Sequence, residues 1–107
     1  MPLTKRQSEA LYILHKYTYI KLMGEAIEKQ DSKCVTLHEI YEYLRQKDAF
    51  FRGEYVGWKN YVCDTLSVGG NFKKLHKEIG RGHLWTYGPN FKSSIEEMEK
   101  SISELAT

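Results

Sequence analysis

Cysteine is scarce in this chain. Only Cys34 and Cys63 occur among 107 residues. They form no CxxC pair, which argues against a cysteine-rich scaffold and the usual zinc patterns. Two reduced thiols in an intracellular protein are expected. Proline is also rare, with 2 residues, and the 8 glycines show no periodic placement, so collagen-like and linker-like sequence are excluded. No apolar run approaches the length of a membrane span, and Met1 to Lys16 lacks the apolar segment of a signal peptide. No phosphate-binding glycine loop, nucleophile elbow or H-E-x-x-H motif is present, so no enzyme is expected. His15 and His38 sit singly on their helices, with no second histidine at metal-ligand spacing. No metal, cofactor or small-molecule substrate is therefore expected.

Neither sign of charge dominates: the net charge is +2. The distribution says more than the total. Residues 52–89 carry Arg52, Lys59, Lys73, Lys74, Lys77 and Arg81 against Glu54, Asp64 and Glu78, a net of +3. Residues 90–107 carry a net of −2. A basic middle is followed by an acidic tail. Hydrophobic residues at 41% and aromatic residues at 13% suffice for one core at this length.

Thr4 with Gln7 predicts a capping box, opening a helix through Ala10, Leu11 and Leu14. Helical spacing continues through Tyr19, Ile20, Met23 and Ile27, with either a bend or a junction near Lys16. Residues 28–33 are polar and predict a loop. Thr36 with Glu39 predicts a second capped helix, burying Leu37, Ile40, Tyr41 and Leu44. Phe50 and Phe51 form an aromatic corner. Tyr55, Trp58, Val62 and Leu66 place a third helix over residues 55–68, stopped by Gly69 and Gly70. The period then changes. Residues 71–76 and 83–87 predict two strands around the tip Gly80-Arg81-Gly82. His76 and His83 flank that tip. Phe91, Ile95, Met98, Ile102 and Leu105 recur at heptad spacing on an acidic helix capped by Ser93 or Ser94. That stripe is expected to pack on Ala10, Leu11 and Leu14, or else to pair with a protein partner or a second copy as a homodimer. The fold class is α+β: a winged helix, with a three-helix helix-turn-helix core, a small antiparallel wing, and extra N- and C-terminal helices. The expected domains are an N-terminal helical extension over 1–16, the winged-helix domain over 17–89, and the acidic amphipathic helix over 90–107.

Four blocks carry a resemblance to a known family. They are Tyr17 to Ile27 (YTYIKLMGEAI), Val35 to Tyr41 (VTLHEIY), Gly57 to Ser67 (GWKNYVCDTLS) and Gly80 to Thr86 (GRGHLWT). In this order and spacing they resemble the forkhead family of winged-helix DNA-binding domains, and Phe50-Phe51-Arg52 matches its aromatic corner. The resemblance implies a nuclear, double-stranded-DNA-binding protein of transcription regulation. It also implies a major-groove recognition helix in which Asn60 contacts a base. Asn is suited to a bidentate bond with adenine. From their own chemistry, backbone contacts are expected for Lys59, Tyr61 and Ser67 on the helix, Lys73 and Lys74 on the first wing strand, Arg81 at the tip, and Arg52 at the corner.

Three positions of the third helix depart from the family pattern. Cys63-Asp64 stands where it has Arg-His, and Tyr61 replaces a small Ser. Asp64 at a base-reading position either accepts from cytosine N4 or weakens readout through phosphate repulsion. The basic second wing found in many forkhead domains is replaced by the acidic tail. The competing reading is therefore a protein-interaction module, or a non-specific chromatin-binding module, on a forkhead scaffold without normal base readout.

Overall fold

Both expected capping boxes form. The Thr4 hydroxyl accepts from the Gln7 amide at 3.0 Å, and the Gln7 side chain accepts from the Thr4 amide at 2.9 Å. In the computed structural model, which describes residues 2–79 and 82–106, this box opens α1 over Lys5–Glu28. The helix is continuous: no glycine or proline interrupts it before Gly24, and it passes Lys16 without a break. Thr36 and Glu39 cap α2, Leu37–Lys47, in the same reciprocal way. A short 3-10 turn, Ala49–Arg52, follows the Asp48 cap.

The third helix starts later than its apolar spacing suggests. α3 spans Trp58–Ser67, with Gly57 as its first cap residue. Tyr55 is 62% exposed, so it does not share the inner face of α3. Its ring pairs with Phe50 at 5.9 Å and lies over Gly57, where a Cβ would come within 2.4 Å of the Tyr55 hydroxyl. Chain entry into α3 therefore uses the absent side chain of Gly57.

The wing consists of β1, Phe72–Ile79, and β2, Gly82–Tyr87, paired antiparallel with Phe72 opposite Tyr87 and Glu78 opposite His83. β1 is longer than expected because a bulge between Lys74 and Glu78 absorbs extra residues. Val35 adds an isolated bridge to Trp85, with bonds of 2.9 and 2.7 Å, and so ties the entrance of α2 to the wing. Gly69 and Gly70 leave α3 at φ of +83° and +69°. Beyond them the Gly88 amide donates to the Asn71 carbonyl and the Asn90 amide to the Gly70 carbonyl, closing the base of the wing.

α4 spans Phe91–Ala106, so Ser93 and Ser94 lie inside the helix rather than at its cap. It packs along α1, but not on the face the sequence suggests. Leu11 and Leu14 remain 51% and 43% exposed, so α4 leaves them uncovered. The face used by α1 carries Arg6, Tyr17 and Gly24. Arg6 donates to the Glu104 and Leu105 carbonyls, Tyr17 donates to Glu99 at 2.7 Å, and the Phe91 ring covers Gly24. Phe91 also meets Phe72 and Tyr87, with ring centres 5.7 and 4.7 Å away. The core joins Ile20, Met23 and Ile27 of α1 to Ile40 and Leu44 of α2 and to Trp58, Val62 and Leu66 of α3. Each such side chain stabilises the fold by about 1.5–3 kcal/mol.

Candidate nucleic-acid interface

α3 is amphipathic, and its two faces separate packing from presentation. Trp58, Val62, Thr65 and Leu66 are buried. Asn60, Asp64 and Ser67 are exposed at spacings of 4 and 3, which aligns them on one outward stripe. Among the described residues neither Asn60 nor Asp64 has a side-chain hydrogen bond or ion pair. Their amide and carboxylate are free to meet an incoming surface. The Ser67 hydroxyl bonds back to the Cys63 carbonyl at 3.2 Å.

The flanks of the stripe are held from both sides. On the α2 side, the Tyr41 hydroxyl donates to the Lys59 carbonyl at 3.2 Å and lies 3.2 Å from the Cys63 sulfur. Burial, then the bond to Cys63, pushes the Tyr41 phenol up. Lys59 folds its ammonium over the Tyr41 and Trp58 rings at 5.6 and 5.9 Å. A cleft of about 580 Å³ lies beside it, lined by Leu37, His38, Cys63, Leu66 and Trp85 among others. On the α1 side, Tyr61 is half-buried, with His15 and Tyr19 ring centres at 5.1 and 4.6 Å. Burial, then the Tyr12 hydroxyl nearby, pushes the Tyr61 phenol up, while a bond from Thr65 opposes it.

The other sequence-selected residues spread around this helix. Lys73 and Lys74 are exposed on β1. Arg52 is exposed and donates to the Arg45 carbonyl, so it also caps the end of α2. Arg81, together with the side chains of His76 and Lys77, lies outside the described residues. Tyr41 is a participant that sequence alone did not single out. Its helical spacing marks it as an inner-face residue, and nothing in that spacing signals a bond to the reading helix. Cys34 and Cys63 are free thiols, and the described residues contain no His/Cys/Asp/Glu cluster suited to a metal. No helix among the described residues is long and apolar enough to cross a membrane.

A three-helix core with an outward polar stripe on its last helix, followed by an antiparallel hairpin, defines a winged-helix module. Residues 15–96 match the model of the forkhead domain. Mouse Forkhead box protein F1 is 46% identical over 84 residues, 76% of this chain and 22% of that protein. Human Forkhead box protein F2 is 46% identical over 84 residues, 76% of this chain and 19% of that protein. Forkhead box protein F of Caenorhabditis elegans is 41% identical over 87 residues, 76% of this chain and 24% of that protein. The chain thus spans about a fifth of the length of these relatives. It belongs to the forkhead family, whose domain is a DNA-binding, non-catalytic module.

Proposed function

We propose that this chain binds double-stranded DNA sequence-specifically, with α3 in the major groove, and acts in transcription regulation in the nucleus. The observation that carries the reading is the outward stripe Asn60–Asp64–Ser67, unpaired at its two most polar members, on the helix that a winged-helix fold offers to a groove. Asn60 is the base-reading residue, matched to adenine N6 and N7. Asp64 either accepts from cytosine N4 or repels phosphate. Lys73 and Lys74, with Lys59, Tyr61, Ser67, Arg52 and Arg81, supply backbone contacts. The test is selection from a randomised duplex pool at near-physiological salt, repeated with Asn60→Ala. Enrichment of a motif that Asn60→Ala blurs at one position supports the reading. If no duplex competes better than bulk DNA, specific readout is excluded, and retained affinity with a steep salt dependence then favours non-specific chromatin binding.

A second reading is supported by Asp64. A carboxylate on the exposed stripe suits a protein surface better than a polyanion. In that reading α3, or the 91–105 stripe acting as a homodimer contact, meets a protein. The packing of Phe91, Ile95 and Met98 against the core favours an intramolecular role for that stripe. Sedimentation of the chain with and without residues 90–107 tests the dimer, and an unchanged monomer removes it.

A further inference from the structure

We propose that Tyr41 is a positioning residue for base readout: its hydroxyl locks the peptide unit that carries Asn60 and so confers sequence selectivity without touching DNA. This inference rests on the DNA-binding reading above and names what holds its reading residue in place. The carbonyl that Tyr41 bonds at 3.2 Å belongs to the peptide joining Lys59 to Asn60. The Cys63 sulfur lies 3.2 Å from the same hydroxyl, one turn further along α3. One hydroxyl on α2 thus grips α3 on both sides of Asn60. Cys63 is among the positions where this helix departs from the family pattern. Its thiol turns toward α2 rather than outward with Asn60 and Asp64.

The hold matters because the start of α3 is otherwise weakly fixed. Its cap residue, Gly57, offers no side-chain bond to the helix. The approach to it, Glu54, Tyr55 and Val56, is exposed. Trp58 anchors the first turn through ring contacts with Tyr41 and Phe51 and through the cations of Arg45 and Lys59. Its buried Nε1 donates to no group of the described residues. On the other flank Tyr61 meets the His15 and Tyr19 rings, contacts whose preferred geometries are broad. A helix packed in this way turns about its axis unless a directional bond stops it. A rotation of roughly 10° moves a side-chain tip at the helix surface by about 1 Å. A bidentate contact between an amide and adenine tolerates about half that displacement. A lysine on its flexible stem follows a phosphate through the same shift. Loss of the Tyr41 bond therefore harms base readout and spares backbone binding. Burial, then the bond to Cys63, raises the phenol, so it remains a donor at neutral pH.

The test is a double-mutant cycle on the full chain, using the duplex selected in the experiment above and bulk DNA. Affinity for both is measured against salt for the wild type, Tyr41→Phe, Asn60→Ala and the double variant. Thermal melts set the working temperature below every unfolding transition. Tyr41→Phe keeps the ring and its packing and removes the hydroxyl. It is expected to weaken binding to the selected duplex about fivefold, and to leave bulk DNA affinity and the salt slope as in the wild type. In the Tyr41→Phe background, Asn60→Ala is expected to cost about fivefold less than in the wild type, since both act on one contact. A bond that serves folding alone would lower the melting temperature and leave that coupling at zero. If Tyr41→Phe weakens both DNAs alike, binds as wild type, or adds independently to Asn60→Ala, the positioning role is overturned while the Asn60 reading stands. Cys63→Ala covers the case in which Tyr41→Phe does not fold, because it removes one partner of the hydroxyl. A loss of about twofold confined to the selected duplex supports the role, and an unchanged or unselective affinity overturns it. If no duplex competes better than bulk DNA, specific readout falls and the positioning role falls with it.

Discussion

Between α1 and α4 polar groups find partners within the chain. Arg6 closes the end of α4, Tyr17 bonds Glu99, and the ring of Phe91 fills the space left by Gly24. Along the outer face of α3 they do not: Asn60 and Asp64 point outward with their hydrogen-bonding capacity unused among the described residues. A folded chain loses little by leaving such groups in water, because water satisfies them. It gains nothing in stability either. Saturation marks the α1–α4 pair as scaffold, and the lack of it marks α3 as a surface kept open for a partner. The comparison breaks if substitutions in the two places have similar consequences.

Stability gives the largest expected contrast. Phe91→Ala removes a ring that meets Phe72, Tyr87 and Gly24. Its half-buried position sets the loss at about 2–3 kcal/mol. Asn60→Ala changes an exposed residue and is expected to stay within about 0.5 kcal/mol of wild type. Urea midpoints at constant m measure both. A Phe91→Ala midpoint equal to that of wild type would show that α4 is not scaffold. The order reverses for DNA. Asn60→Ala is expected to cost about tenfold to a hundredfold in affinity for the preferred duplex. Phe91→Ala, measured below its unfolding transition, should change affinity far less. Anisotropy titrations at one fixed salt concentration separate the two, and equal losses would remove the distinction.

Local chemistry made most of this scaffold legible in the sequence. Thr4–Gln7 and Thr36–Glu39 announce their helices because a capping box depends on residues three apart. The core helices are readable because burial imposes a period. What the sequence concealed depends on contacts between distant residues. Leu11 and Leu14 look like an inner face, yet α4 chooses the side with Gly24, where the missing side chain admits Phe91. Tyr55 continues the apolar spacing of α3 but lies outside the helix, since its ring settles on Gly57. The candidate stripe on α3 was readable as residue types in a motif, and Asn60, Asp64 and Ser67 do share one exposed face. The hold of Tyr41 on Lys59 and Cys63 was not readable, because a hydroxyl that reaches across to another helix leaves no periodic trace.

A smaller effect sharpens the picture of the open face. If Asp64 faces phosphate, Asp64→Asn removes a like-charge repulsion of about 1 kcal/mol. Affinity should then rise about fivefold at low salt, and the gain should shrink as salt screens the pair. If Asp64 instead accepts from a cytosine amine, the same substitution should weaken binding to the selected site and leave bulk DNA binding slightly stronger. Competition titrations at two salt concentrations distinguish these outcomes. Tighter binding to every duplex would mark Asp64 as a brake on affinity rather than a reader.

The smallest effect lies on the scaffold side and appears only at high pH. Tyr43 donates to Glu25 at 2.8 Å, and burial, followed by that bond, pushes its phenol up to about 12. Burial likewise raises Tyr87, which bonds Glu28 and the Gly24 carbonyl. In the unfolded chain both phenols titrate near 10. The native state therefore holds these protons after the unfolded state has released them, and stability must fall as pH rises in that interval. The contribution is complete below pH 10 and is lost as pH passes through about 12. Tyr43→Phe removes one titrating phenol, so its stability should decline less steeply with pH than that of wild type between those limits. Denaturant midpoints taken in steps across this range measure the slope. Tyr61→Phe provides the control beside the open face: its phenol is also raised by burial, but it carries no carboxylate bond. Its effect on the slope should be the smaller of the two. If it is the larger, the neighbourhood of α3 is as tightly bonded as the scaffold, and the contrast between the two regions fails.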